Sequence, residues 1–280
     1  MSTLQPTRID RWTLRTRTLS VGRIPLLMGI VNVTPDSFSD GGHCFDAEAA
    51  VEHGLRLVAA GADILDVGGE STRPGSLPVD AQEELRRVMP VVGALCRQTD
   101  VPVSIDTSKA IVARHAIHAG AEIINDIAAL AGDPAMLSLA VETGCGVCAM
   151  HMQGQPRTMQ DHPTYQDVVA EVFEYLRERR DAIVAAGVAQ DRIALDPGIG
   201  FGKTVEHNLQ LLAHIRRLHE LGCPVLIGHS RKRFLSPDPS AGTIGVALSM
   251  ARHGVQVLRV HDVGAVRQAL VMFQATGGLD

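Results

Sequence analysis

The chain has 280 residues, 45% of them hydrophobic, with 26 Lys plus Arg against 31 Asp plus Glu and a net charge of −5. A chain this apolar buries enough surface to offset its ordering entropy, which excludes disorder. Its acidity and 3% aromatic content exclude a general nucleic-acid binder. Residues 1–17 hold scattered arginines without an apolar core, and the least charged stretch, 127–150, is broken by Asp133, Pro134 and Glu142. Neither a secretion signal nor a membrane span is expected. Five widely spread cysteines, an odd number, point to a reducing compartment, the cytoplasm.

In chain order, residues 12–23 alternate polar and apolar and are predicted to form a short hairpin plugging the N-terminal end of the fold. Strands are predicted at 26–33, 64–69, 101–106, 123–126, 147–152, 193–196, 225–230 and 255–262, all rich in Val and Ile and nearly continuous in hydrophobicity. Helices are predicted at 46–60, 81–97, 109–119, 165–186, 205–221, 243–253 and 263–275. Eight strands alternating with helices give an α/β fold class, a single (β/α)8 TIM barrel over about residues 25–276 of one 1–280 domain. An open doubly wound sheet shares the local pattern; the strand count and the lack of a polar edge strand favour the barrel.

Barrel active sites lie at the C-terminal strand ends. Those ends carry Asn32, the 68–74 run GGESTRP, Asp106, Asn125 with Asp126, Met150 with His151, Asp196, Ser230 to Lys232, and Arg259 with His261. Acceptors gather on the third, fourth and sixth strands (Asp106, Asn125, Asp196). Donors gather on the last two (Arg231, Lys232, Arg259, His261), where barrels often bind phosphate. The substrate implied has an anionic end and a compact end rich in N–H donors. Singly, each residue has a plainer reading. Asp106 serves as a helix cap, Asp196 as a turn initiator before Pro197, Arg259 as an ion-pair partner of Asp262, and Lys232 as part of a solvated basic run. The 198–204 run resembles a phosphate loop but has Pro197 where glycine is needed. Cys145 and Cys148 lack the second pair of a zinc site, and His115, His118, His207, His214 and His219 read as surface residues on helices.

Eight motifs in order resemble the dihydropteroate synthase family over roughly residues 25–276: 28–42 (MGIVNVTPDSFSDGG), 68–75 (GGESTRPG), 104–107 (SIDT), 125–127 (NDI), 150–153 (MHMQ), 195–203 (LDPGIGFGK), 230–232 (SRK) and 259–262 (RVHD). The resemblance implies a folate-pathway transferase that joins 6-hydroxymethyl-7,8-dihydropterin pyrophosphate to 4-aminobenzoate, giving 7,8-dihydropteroate and pyrophosphate. It implies Mg²⁺ held through Asn32, a homodimer, and sulfonamides as competitors for the second substrate. By resemblance, Asp106, Asn125, Met150, Asp196, Phe201 and Lys232 hold the pterin. Asn32, Thr72, Arg73, Arg259 and His261 take the pyrophosphate, while Ser71, Pro74, Ser230 and Lys232 shape the 4-aminobenzoate site. Asp36, Asp106, Asp196 and Lys232 carry the catalysis. Two departures stand out: a short 233–243 loop containing Pro237 and Pro239, and Gln155 in place of a small hydroxyl residue. The short loop leaves open a noncatalytic pterin-binding relative. A corrinoid-dependent methyltransferase is a third reading, opposed by the complete first motif and the Arg259/His261 pair.

Overall fold

A computed structural model describes residues 8–34, 47–71 and 75–279. The hairpin is β1 (Arg11–Thr13) with β2 (Thr18–Ser20), antiparallel, with Trp12 opposite Leu19. The barrel strands are β3 (Leu26–Asn32), β4 (Ile64–Gly68), β5 (Val103–Asp106), β6 (Ile123–Asp126), β7 (Gly146–Met150), β8 (Ile193–Asp196), β9 (Leu226–Ile227) and β10 (Val257–Val260). All pair in parallel, in the order β8-β7-β6-β5-β4-β3-β10-β9, and a bridge between Leu195 and Val225 closes the ring. The barrel prediction holds. Every residue of β4, β6, β7 and β8 is buried, as both faces of a barrel wall must be.

Outside the wall run α1 (Ala47–Ala59), α2 (Ala81–Gln98), α3 (Ala110–His118), α4 (Met136–Thr143), α5 (Val168–Ala185), α6 (Val205–Ala213), α7 (Pro239–Arg252) and α8 (Val263–Ala275). Four differences from the predicted elements stand out. Helix α4 lies outside the predicted elements: MLSLAVET is only eight residues long, too short for its period to stand out, although Ser138 and Glu142 are exposed on one face. The 205–221 helix breaks at His214, whose Nδ1 bonds the Gln210 carbonyl, and the chain tightens into a 3₁₀ segment, Ile215–Leu221. Helix α7 starts four residues early because Asp238 caps it, accepting from the Ser240 and Ala241 amides, with Pro239 at its first position. Strand β9 keeps only two of its six predicted residues. His219, expected at the surface, is buried with Nε2 on the His253 carbonyl. Removing the α7 cap with Asp238→Ala should cost about 1 kcal/mol, read as a small fall in the thermal midpoint with activity retained.

The core has two parts. One lies between wall and helices; the other fills the barrel's lower interior with Trp12, Leu14, Met28, Ile64, Ile123, Cys148, Ala194, Leu226 and Val257. Trp12 is fully buried and its Nε1 donates to the Arg192 carbonyl at 3.0 Å, so the hairpin plugs the barrel as predicted. Cys148 belongs to this inner cluster and Cys145 to the outer one, so the two thiols do not converge.

Candidate active site

Side chains alternate along a strand, so the interior residue two positions beyond each lower-layer residue forms the next layer up. From Ile64, Ile123, Cys148, Ala194, Leu226 and Val257 that step reaches Asp66, Asn125, Met150, Asp196, Gly228 and Arg259. Asp106 pairs in register with Asn125. An apolar floor thus carries a polar ring at the C-terminal mouth, and five expected site residues (Asp106, Asn125, Met150, Asp196, Arg259) share it.

Arg259 organises the ring. Its Nε donates to Asp66 Oδ2 at 2.6 Å and its Nη2 to Asp106 Oδ2 at 2.7 Å. Asn125 Nδ2 also donates to Asp66 Oδ2, at 3.2 Å. Asp106 is therefore no helix cap: Asp133 accepts the first amide of α3, at Ala110, instead. Nor does Arg259 pair with Asp262, which caps α8 through the Ala265 amide. The Asp106 carboxyl is pushed up to about 7: burial raises it most, Arg259 opposes that, and Asp66, Glu84 and Asp126 add to the rise. Two carboxylates thus share one guanidinium. Asp126, its neighbour in the motif, is structural: it accepts from Ser108 Oγ and from the Ala128 and Leu130 amides.

On the opposite wall Asp196 is 5% exposed, and burial raises its pKa. Its Oδ1 accepts from the Gly198 amide at 2.7 Å, so the turn-forming reading holds. Lys232 is not a solvated side chain. Its Nζ donates to the Ile199 carbonyl and sits 4.4 Å from the centre of the Phe201 ring, and burial lowers its pKa to about 8. At the last strand, the His261 amide donates to Ser230 Oγ at 3.2 Å, and His261 Nδ1 lies 3.0 Å from the same hydroxyl. Ser230, expected to touch the second substrate, is thus tied to the expected phosphate-side histidine. A cavity of about 30 Å³ beside it is lined by Arg231, Thr243 and Asp262, among others, where α7 and α8 begin. Asn32 ends β3, partly buried. Ser71 follows β4, its carbonyl accepting from Ser76 Oγ. Asp36, Thr72, Arg73 and Pro74 lie outside the described residues.

Two residues of the mouth were not foreseen. Asp66 reads in sequence as one polar residue inside an apolar run; counting back two from the strand-end position Gly68 would have flagged it. Lys203, set aside with the false phosphate loop, is 3% exposed. It bonds the Phe201 carbonyl and lies 2.9 Å from His151 Nδ1. Burial lowers Lys203 to about 7 and His151 to about 3. Among the described residues no group of three His, Cys, Asp or Glu gathers as a metal site.

The chain matches the family described as pterin binding enzyme over residues 28–261. It is 47% identical over 259 residues to the dihydropteroate synthase of Escherichia coli K12, covering 90% of this chain and 92% of that protein. Among solved structures, Xanthomonas albilineans dihydropteroate synthase with 4-aminobenzoic acid is 49% identical with a TM-score of 0.89, covering 96% of this chain and 98% of that one. Yersinia pestis dihydropteroate synthase in a sulfonamide complex is 46% identical, also at 0.89, covering 95% and 99%.

Proposed function

The chain belongs to the pterin-binding enzymes, among the dihydropteroate synthases, and from that premise we propose how its own residues divide the work. The reaction joins 6-hydroxymethyl-7,8-dihydropterin pyrophosphate to 4-aminobenzoate, a transferase step of folate biosynthesis; the noncatalytic and corrinoid-dependent readings give way to it. The observation that carries the assignment of roles is the interior ring that brings Asp106, Asn125, Asp196 and Arg259 to one mouth.

In this reading Asp106, Asn125 and Asp196 accept the N–H donors of the pterin edge, with Met150 and Phe201 packing the ring and Lys232 bordering it. The C–O bond breaks with its electron pair leaving on the diphosphate, the amine nitrogen of 4-aminobenzoate bonds to the exocyclic CH₂, and the amine releases its proton to solvent. Asp106 and Asp196 favour the positive charge that develops on the pterin; Asp36 in the first loop adds to it. Asn32, Thr72, Arg73, Arg259 and His261 take the diphosphate, and Ser71, Pro74, Ser230 and Lys232 border the aryl amine. If the family's Mg²⁺ binds at this mouth, the Asn32 amide oxygen is the hard oxygen ligand that would hold it. The ion would neutralise charge on the leaving group. Support for Asn32 in this part is its place at the C-terminal end of β3. We also propose a cytoplasmic homodimer without nucleic-acid or membrane partners. Half-exposed Met272 and Val271 on α8 support the dimer, and free Cys96, Cys145, Cys148 and Cys223 support the compartment.

The test is turnover of the pterin pyrophosphate with 4-aminobenzoate and Mg²⁺, counting both products. Arg233–Leu235 form a 3₁₀ turn and α7 begins at Pro239, so the connection after Lys232 is short, and a mouth left open by it would let water capture the activated CH₂. Pyrophosphate release is therefore expected to exceed dihydropteroate formed, with 4-aminobenzoate bound weakly; equal yields would refute the leak. Pterin binding without any dihydropteroate would refute catalysis. Asp196→Asn should weaken pterin binding by about 1.5–3 kcal/mol, the value of a hydrogen bond to a charged group, and leave 4-aminobenzoate binding unchanged. Calorimetry with each ligand separates the two.

A further inference from the structure

We propose that Asp66 is a positioning residue of the pterin site, holding the Arg259 guanidinium against Asp106 and turning the Asn125 amide so that its carbonyl oxygen faces the pocket. The inference rests on the assignment of this mouth to the pterin. Asp66 sits in the middle of β4, fully buried, in register with Ile30 on one side and Ser104 on the other. Its Oδ2 accepts from both Arg259 Nε, at 2.6 Å, and Asn125 Nδ2, at 3.2 Å.

A carboxylate only accepts, so Asn125 presents its NH₂ to Asp66 and directs its oxygen the other way. That oxygen joins Asp106 and Asp196 as a third acceptor toward an edge of N–H donors. The guanidinium is a rigid planar fork, so anchoring Nε on Asp66 determines where Nη2 lies, and Nη2 meets Asp106 at 2.7 Å. Asp66 thus sets two members of the pocket without lining it.

Stability alone does not account for this residue. Asp66 Oδ1 and the neighbouring Ser104 Oγ are buried without a hydrogen-bond partner among the described residues. An apolar side chain of similar size would avoid that desolvation cost.

The decisive variant is the near-isosteric Asp66→Asn. Calorimetry with 6-hydroxymethyl-7,8-dihydropterin should show binding weakened about tenfold, the scale of one charge-assisted hydrogen bond. Kinetics should show KM for the pterin pyrophosphate raised in proportion while KM for 4-aminobenzoate holds. In an Arg259→Met background the same substitution should cost less than about threefold, because the arginine it positions is gone. Unchanged pterin affinity in folded Asp66→Asn, or an equal loss in both backgrounds, would overturn the proposal. The unaltered protein offers a second test that does not depend on the variant's folding. By NMR, the Asn125 side-chain N–H and Arg259 Nε–H protons should exchange with water more slowly than those of exposed Asn and Arg side chains. Fast exchange at both would equally overturn it. Wild-type protein that fails to bind pterin rejects the functional reading; normal wild-type binding with an unaffected variant rejects only the role of Asp66.

Discussion

Arg259→Met is expected to destabilise the protein by about 2–3 kcal/mol and to weaken the bare pterin as well as its pyrophosphate. The cost falls below that of a fully buried pair because Arg259 and Asp106 keep 20% and 19% of their side-chain surface exposed. What remains after the substitution is Asp66 and Asp106 facing one mouth without the cation between them. His261→Ala should behave differently, weakening only the pyrophosphate-bearing ligand, because His261 bonds Ser230 at the rim rather than the ring of acceptors. Equal behaviour of the two variants toward both ligands, by calorimetry, would refute this division. The pH dependence has a definite sign. Burial raises the folded Asp106 value to about 7, against an ordinary carboxyl value of 3.8. Such a group adds stability below its unfolded value and loses it as pH rises through the folded one. Without Arg259 the folded value climbs further. The variant's deficit should therefore grow as pH rises through and above about 7, and the acid limb of pterin binding should move upward. A deficit independent of pH would show that Arg259 does not hold Asp106.

The barrel was legible in the sequence because apolar runs buried on both faces leave a pattern that helices do not. Its polar mouth was legible because strand ends are where the runs stop. Neither signal reaches one layer deeper. Asp66 is flanked by Leu65 and Val67, and both neighbours face the helices while Asp66 faces the barrel interior. Only the two-residue period, anchored on a known interior residue, brings it out. Lys203 was hidden for another reason: lysine beside a glycine-rich run suggests phosphate. Here the run instead folds back so that the lysine reaches His151 and the Phe201 carbonyl. Arg259 was legible at the mouth, but its pairing with Asp66 and Asp106 was not, since it spans 193 and 153 residues of sequence. Helix α4 left little trace because it spans only eight residues, and α7 starts ahead of its apolar period because Asp238 and Pro239 cap it.

Gly198→Ala is expected to damage stability and pterin binding together. Gly198 has φ +68°, and an added Cβ would lie 1.8 Å from the His151 carbonyl oxygen and 3.3 Å from the Met150 side chain. The left-handed backbone costs alanine about 1–2 kcal/mol, and forcing an atom into a packed site adds about 1–3, so a loss of about 2–5 kcal/mol is expected. The nearest obstacle is backbone, so the turn itself must move. That turn supplies the amide bonded to Asp196 Oδ1, and beyond it the Ile199 carbonyl that receives Lys232 and the Phe201 ring beneath that lysine. Moving it removes the fixed direction of the Asp196 acceptor, so pterin affinity should fall by more than about tenfold, the scale of one hydrogen bond to a charged group. Gly245 serves as the control. It lies inside α7 with nothing within 4 Å of an added Cβ, so Gly245→Ala should raise stability by about 0.5–1 kcal/mol and leave the site alone. Denaturant titration and pterin calorimetry on both variants give the comparison. Gly198→Ala with wild-type stability and affinity would mean that the contact between the turn and the end of β7 does not set the site.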